Sequence, residues 1–178
     1  MRTEDEARGL YERLMKVQVT LHERTIGRQQ QWLIHGCDGH AEGSPPGTYR
    51  GKAVPYMIEI KCPQGSPYRS VPLYYMAQIQ VGLALHEMRW CDFVVYSTGN
   101  EAEGLPPRFK VTRVPFSQAC WAGLLKALTY FADCLTHGTP PNRTFLCGAV
   151  DEEAFKKAAA TAQVLYDGSP DKVDNGLQ

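Results

Sequence analysis

Three residues stand out for the chemistry that their types and spacing allow: Asp38, Glu59 and Lys61. Glu59 and Lys61 lie two apart in YMIEIKC, residues 56–62. Successive side chains of a strand point to opposite faces, so this alternation predicts a strand with Met57, Glu59 and Lys61 on one face and Tyr56, Ile58, Ile60 and Cys62 on the other. Asp38 follows a strand-like stretch, 31–35, just after Gly36, where a turn can begin. Two carboxylates from neighbouring strands, with the main-chain carbonyl of Ile60 as a third oxygen, form a ligand set for a hard cation such as Mg²⁺, with Mn²⁺ as a substitute. Lys61, beside Glu59, can hold or polarise an attacking water and offset negative charge. Together these are the requirements for hydrolysing a phosphodiester. Glu and Lys alternating on a strand are, taken alone, more often a solvated face with an ion pair, so the rest of the chain has to decide between the two readings.

The elements that would position these residues can be read in order. Residues 3–16 predict a helix, with Thr3 as N-cap, Glu6 three positions later, and Leu10, Tyr11 and Leu14 on one face. Residues 17–20 and 31–35 have strand character. The Gly- and Pro-rich stretch 39–55 predicts an irregular excursion or hairpin joining two strands, long enough to suggest function or an insertion. Pro63 ends the 56–62 strand, and a loop leads to a helix over 71–88. Residues 90–97, WCDFVVYS, predict a buried strand, and 108–114 another. A long helix opens at Ser117 and stops at Gly138 with two prolines after it. A last helix is expected over 151–166, acidic at its start and basic further on. Residues 1–166 read as a single domain and 167–178 as a flexible tail. The expected class is α/β or α+β, a small mixed sheet flanked by helices.

Composition narrows the function classes. The formal net charge of 178 residues is zero, which argues against a protein that coats nucleic acid by bulk positive charge. It leaves room for a local basic cleft around an acidic metal site, and Arg50, Lys52, Arg69 and Arg89 are the candidate phosphate contacts. No apolar run is long enough to cross a bilayer, and the first residues lack a secretory signal, so an intracellular protein is expected. The six cysteines, at 37, 62, 91, 120, 134 and 147, are expected to be reduced and mostly buried. His35, Cys37, His40 and Cys62 lie near one strand pair, but His-x-Cys-x-x-His is not a standard zinc spacing and adjacent strand residues point apart. The tryptophans are expected in the core.

Several segments, in order, resemble the phage-lambda-type and viral alkaline exonucleases, the YqaJ-like viral recombinase nucleases of the PD-(D/E)XK superfamily. TEDEARGLYE resembles the family's helix with Glu, Ala-Arg and an aromatic followed by Glu. GCDG is similar to its Ser-Pro-Asp-Gly turn, with Gly36 and Cys37 in place of Ser and Pro. IEIKCP resembles its Glu-x-Lys-Cys-Pro signature, YYMAQIQ the helix that follows, and CDFVVYS the next strand. The likeness covers residues 3–97. The stretch between Asp38 and Glu59 is longer than in the phage enzymes, and the family's helices ahead of the first one are not in this chain, so a shortened relative or a fragment is expected.

The resemblance implies a restriction-endonuclease-like core, metal carboxylates at Asp38 and Glu59, a catalytic lysine at Lys61, an acidic helix residue at Glu4 and glutamine positions at Gln78 and Gln80. Those two glutamines lie about 200° apart on a helix, so Gln78, which shares the side of Tyr74 and Tyr75, is expected at the site and Gln80 in solvent. The implied reaction is Mg²⁺-dependent 5′ to 3′ degradation of one strand of linear duplex DNA in viral or phage recombination. The implied partners are DNA ends and a single-strand annealing protein, with homo-oligomers in one branch of the family. The implied setting is the cytoplasm of a bacterial host, or the nucleus for a eukaryotic virus. The alternative is a non-catalytic nucleic-acid-binding or assembly module that retains the fold.

Overall fold

The computed structural model describes residues 2–44, 52–64 and 68–175. Its centre is a five-stranded mixed sheet in the order β3 (Gly39–Gly43), β4 (Val54–Lys61), β5 (Trp90–Ser97), β6 (Arg108–Pro115), β7 (Gln163–Gly168), in which β4 and β5 are parallel and the other pairs antiparallel. A parallel pair needs a crossover, here the segment containing helix α2 (Leu73–Leu85). The expected class, α/β with a small mixed sheet between helices, is the one observed.

Each face of the sheet buries its own core. On one side lies helix α1 (Arg2–Met15), whose Ala7, Leu10, Tyr11 and Leu14 form a stripe at helical spacing. That stripe meets Tyr56, Ile58 and Ile60 of β4, Trp90, Val94 and Tyr96 of β5, and Phe109 and Val111 of β6. On the other side α2, α3 (Gln118–Thr136) and α5 (Glu152–Ala160) cover Met57, Cys91, Phe93, Val95 and Val114. Ser117 caps α3 by accepting from the Cys120 N–H, and Asp151 caps α5 by accepting from the Glu153 and Ala154 N–H groups. Beyond α3, Gly138 takes a left-handed φ of 62°, the conformation that favours glycine there. No helix among the described residues is long and apolar enough to cross a membrane.

The structure departs from expectation at five points. The stretch 17–20 contributes only an isolated bridge between Thr20 and His40, and 31–35 shortens to β2 (Ile34–His35), paired with β1 (Thr25–Ile26). A short helix, α4 (Arg143–Ala149), lies where none was expected. The helix over 151–166 ends at Ala160, and its second half is β7. The alternating QVLY of that half finds free hydrogen-bonding groups along β6, and pairing outweighs helix propensity. The tail from 167 is not loose where described: β7 runs to Gly168, and a 3₁₀ turn, Pro170–Asn175, seats Val173 in the α1-side core at 1% exposure. Val173 therefore packs with the same core as α1.

Candidate functional site

The site forms where β3 begins and β4 ends. β4 runs alongside β3 only as far as the Gly39–Ile58 pair. Beyond it Asp38 takes over the edge: its N–H donates to the Ile58 carbonyl at 3.2 Å, and its Oδ2 accepts from the Ile60 N–H at 2.6 Å. A residue's N–H and C=O face the same edge of a strand, so the Ile60 carbonyl also points to the Asp38 side. Gly39 is required here, because a Cβ would run into the Val19 side chain. The aspartate is thus fixed by backbone on both sides of its own peptide.

Glu59 and Lys61 share the α2 face of β4, as the alternation predicts. Glu59 is 2% exposed. Its Oε1 accepts from Lys61 Nζ and from Gln78 Nε2, both at 2.6 Å. Its Oε2 is buried and has no hydrogen-bond partner. Burial first, then the charge of Asp38, raises the Glu59 pKa, against the pull of Lys61 and Gln78. Burial lowers the Lys61 pKa, but the charge and hydrogen bond of Glu59, with Asp38 and Tyr75, more than reverse this and hold the ammonium above the ordinary lysine value. Lys61 Nζ also stands 5.1 Å from the centre of the Tyr75 ring.

An all-oxygen donor set and an orphaned buried carboxylate oxygen fit a hard divalent cation. Asp38, Glu59 and the Ile60 carbonyl are the residues that would hold it.

Other expected site residues divide. Gln78 reaches Glu59, as its side of the helix predicts. Gln80, expected in solvent, is instead fully buried: its amide donates to the Pro115 carbonyl at 3.0 Å and accepts from the Ser117 N–H at 2.7 Å, joining α2 to the β6–α3 connection. Glu4 is exposed on the first turn of α1, and its charge acts on Cys62, the residue after β4, so it approaches this sheet end from the opposite face. Arg69 is exposed in the loop after β4, where its carbonyl accepts from Lys110 Nζ at 2.7 Å. Lys52 precedes β4 and Arg89 precedes β5, so both lie at the far end of the parallel pair. Arg89 is six residues from Val95, the partner of Lys61, or about 20 Å at strand rise; the structure brings neither Lys52 nor Arg89 to the site. Arg50 lies outside the described residues.

All six cysteines are free; Cys91, Cys120 and Cys134 are buried, Cys37 and Cys62 half-buried and Cys147 exposed. Trp32 is exposed rather than in the core. Two features were not read from the sequence. One is a buried pair on the α1 face, Asp92 and Arg113. The other is a group of imidazoles from His22, His35, His40 and His86.

Burial first, then neighbouring imidazoles, pushes His40 and His86 down to about 4 from an ordinary 6.5. The unfolded chain takes up protons at these positions through about 6.5, whereas the folded chain does so only near 4. Their contribution to stability is full above the upper value and is lost as pH falls through that window. In chelator-treated protein the melting temperature should decline between about pH 7 and about pH 5, and His86→Gln should flatten that slope. Parallel slopes for the variant and wild type would exclude this histidine as the cause.

No protein-family model matches the chain, and no curated protein matches it. Among solved structures, the chain shares its fold with the alkaline exonuclease LHK-Exo from Laribacter hongkongensis. The TM-score is 0.59 with 22% identity, over 77% of this chain and 66% of that one. The chain thus corresponds to just under two thirds of that exonuclease's length. A second crystal structure, LHK-Exo in complex with dAMP, aligns at a TM-score of 0.49 and 22% identity over 88% of this chain and 68% of that one.

Proposed function

We propose that this chain is a divalent-metal-dependent deoxyribonuclease that acts as an exonuclease on linear duplex DNA. The observation that carries the reading is the Glu59 carboxylate, buried beside Asp38 with one oxygen holding Lys61 and Gln78 and the other without a partner. A purely structural ion pair would satisfy both oxygens, because a buried polar atom left unpaired costs about 1–3 kcal/mol. The fold shared with an alkaline exonuclease supports the same reading.

Asp38, Glu59 and the Ile60 carbonyl would hold Mg²⁺ or Mn²⁺, which when bound supplies charge neutralisation and an acidified water. Lys61 holds the attacking water and counters charge that develops on the phosphate. Gln78 fixes the Glu59 rotamer. Arg69, in the loop after β4, is the expected phosphate contact that the described residues leave at this end of the sheet, and Glu4 is the acidic residue that approaches the same end from α1. The 5′ to 3′ direction, the role in viral or phage recombination and a strand-annealing partner rest on the sequence resemblance.

The test is release of nucleotides from linear duplex DNA labelled at either end, in Mg²⁺ and in Mn²⁺. The expected result is metal-dependent loss of the 5′ label first, with closed circular DNA left intact. Protein inert on linear duplex, single strands and RNA in both metals would sink the enzymatic reading, and salt-dependent DNA binding without cleavage would then favour the binding module.

A further inference from the structure

Four of the five histidines in the chain meet at one place, although they are scattered in the sequence. His22 comes from the segment after α1, His35 from β2, His40 from β3, and His86 caps the C-terminus of α2. The rings of His22 and His40 lie 4.3 Å apart between centres, those of His40 and His86 4.9 Å, and those of His35 and His86 5.4 Å. One ring nitrogen from each of His22, His40 and His86 lies within 4.8 Å of the other two.

We propose that His22, His40 and His86 bind a transition-metal dication of the Zn²⁺ type, at a site separate from the Asp38–Glu59 centre. Three observations support it. The first is an unused nitrogen: His40 Nε2 is buried without a hydrogen-bond partner, a state that native structures seldom leave unexplained.

The second is the set of outer hydrogen bonds. His22 Nδ1 lies 2.6 Å from the Glu23 carbonyl. A carbonyl can only accept, so Nδ1 carries the proton and the Nε2 lone pair is left for a ligand. His86 Nδ1 lies 3.2 Å from Thr25 Oγ1, its outer partner; its Nε2 lies 3.3 Å from His35 Nδ1, a contact that a metal ion on Nε2 would replace. Metal-bound imidazoles characteristically use their second nitrogen in this way, and the outer partner fixes tautomer and ring orientation.

The third is the chemistry of the donors. Three imidazoles without a carboxylate suit Zn²⁺, Ni²⁺ or Cu²⁺ and not Mg²⁺ or Ca²⁺, so the two centres select different ions. With metal–nitrogen bonds of about 2.0–2.1 Å, ligand nitrogens of a tetrahedral site stand ~3.4 Å apart. His22 is exposed and can swing inward, so side-chain shifts of the three residues bring them to that spacing, and water takes the fourth position.

The consequence is a clamp. The ion ties the segment after α1 and the end of α2 to β3, the strand that opens one residue after Asp38.

Co²⁺, followed by Zn²⁺ competition, tests this on untagged, chelator-treated full chain. Wild type should take up one Co²⁺ with the strong visible absorption of a tetrahedral site, and Zn²⁺ should displace it and raise the melting temperature. Glu59→Gln, which disarms the other centre, and His137→Ala, on the exposed end of α3, should keep the band. His22→Ala and His86→Ala should each weaken binding by more than the roughly 100-fold that loss of an outer partner causes. His22 is exposed, so its variant remains informative should His86→Ala fail to fold. No tetrahedral band in wild type, an unchanged band in His22→Ala, or a band lost in Glu59→Gln would overturn the proposal. None of these readouts requires nuclease activity, so the two readings stand or fall separately.

Discussion

Glu59→Ala and Lys61→Ala are each expected to lower metal-dependent cleavage of linear duplex DNA by about 10³-fold, equivalent to about 4 kcal/mol of transition-state stabilisation. Glu59→Ala removes the carboxylate whose unpartnered oxygen faces the proposed ion, and leaves Lys61 without its 2.6 Å partner. Lys61→Ala leaves both candidate metal carboxylates in place and removes the group that holds water and counters charge. The two side chains act as one unit, so the double variant should be hardly worse than either single. Gln78→Ala should cost less, about tenfold, because Gln78 touches the carboxylate and not the reacting phosphate. Its loss should appear first as a higher Mg²⁺ concentration needed for half-maximal cleavage. The fold should survive in all of them: burial already raises the Glu59 pKa, so without Lys61 the carboxyl can take up a proton instead of remaining a buried charge. Either single variant retaining activity within tenfold of wild type, in folded protein, would remove these residues from the chemistry.

How much of this was legible depends on the range of the interaction. The Glu59–Lys61 face could be read because a strand's period of two depends on nothing beyond its own residues. The side of Gln78 followed from helical spacing in the same way. Gln80 did not, because its partners, Pro115 and Ser117, belong to a connection more than thirty residues away. The same limit governs β7: its residues continue a helix-like run, and only the open edge of β6 makes them a strand. Lys52 and Arg89 were nominated by charge alone, and the parallel pairing of β4 with β5 puts them at the wrong end. The histidines had a signal that spacing hides, since His22 and His86 are far apart in the sequence and meet only where the end of α2 reaches His40 of β3.

The largest expected loss of stability lies on the other face of the sheet, at Arg113. Asp92 is 0% exposed, and Arg113 grips it with a two-pronged contact, Nε to Oδ1 and Nη2 to Oδ2, each 2.7 Å. Tyr11 donates to Oδ2 at 2.6 Å; with its proton committed there, Tyr56 donates to Tyr11 at 2.9 Å. Burial first, then the charge of Asp92, drives the Tyr11 pKa upward and keeps it protonated as donor. The guanidinium also lies 5.4 Å from the Tyr56 ring centre and 5.2 Å from that of Trp90. This network links α1 to three strands, and its cost is visible only when one charge is removed. Arg113→Met should destabilise by about 3–5 kcal/mol, because it strands a carboxylate in the core. For a chain of this size that lowers the melting temperature by roughly 6–20 °C. Asp92→Asn combined with Arg113→Met removes both charges and should recover at least half of the loss, since the desolvation penalty disappears with the ion pair. A double variant no more stable than Arg113→Met would mean that packing against Tyr56 and Trp90, rather than the stranded charge, sets the cost.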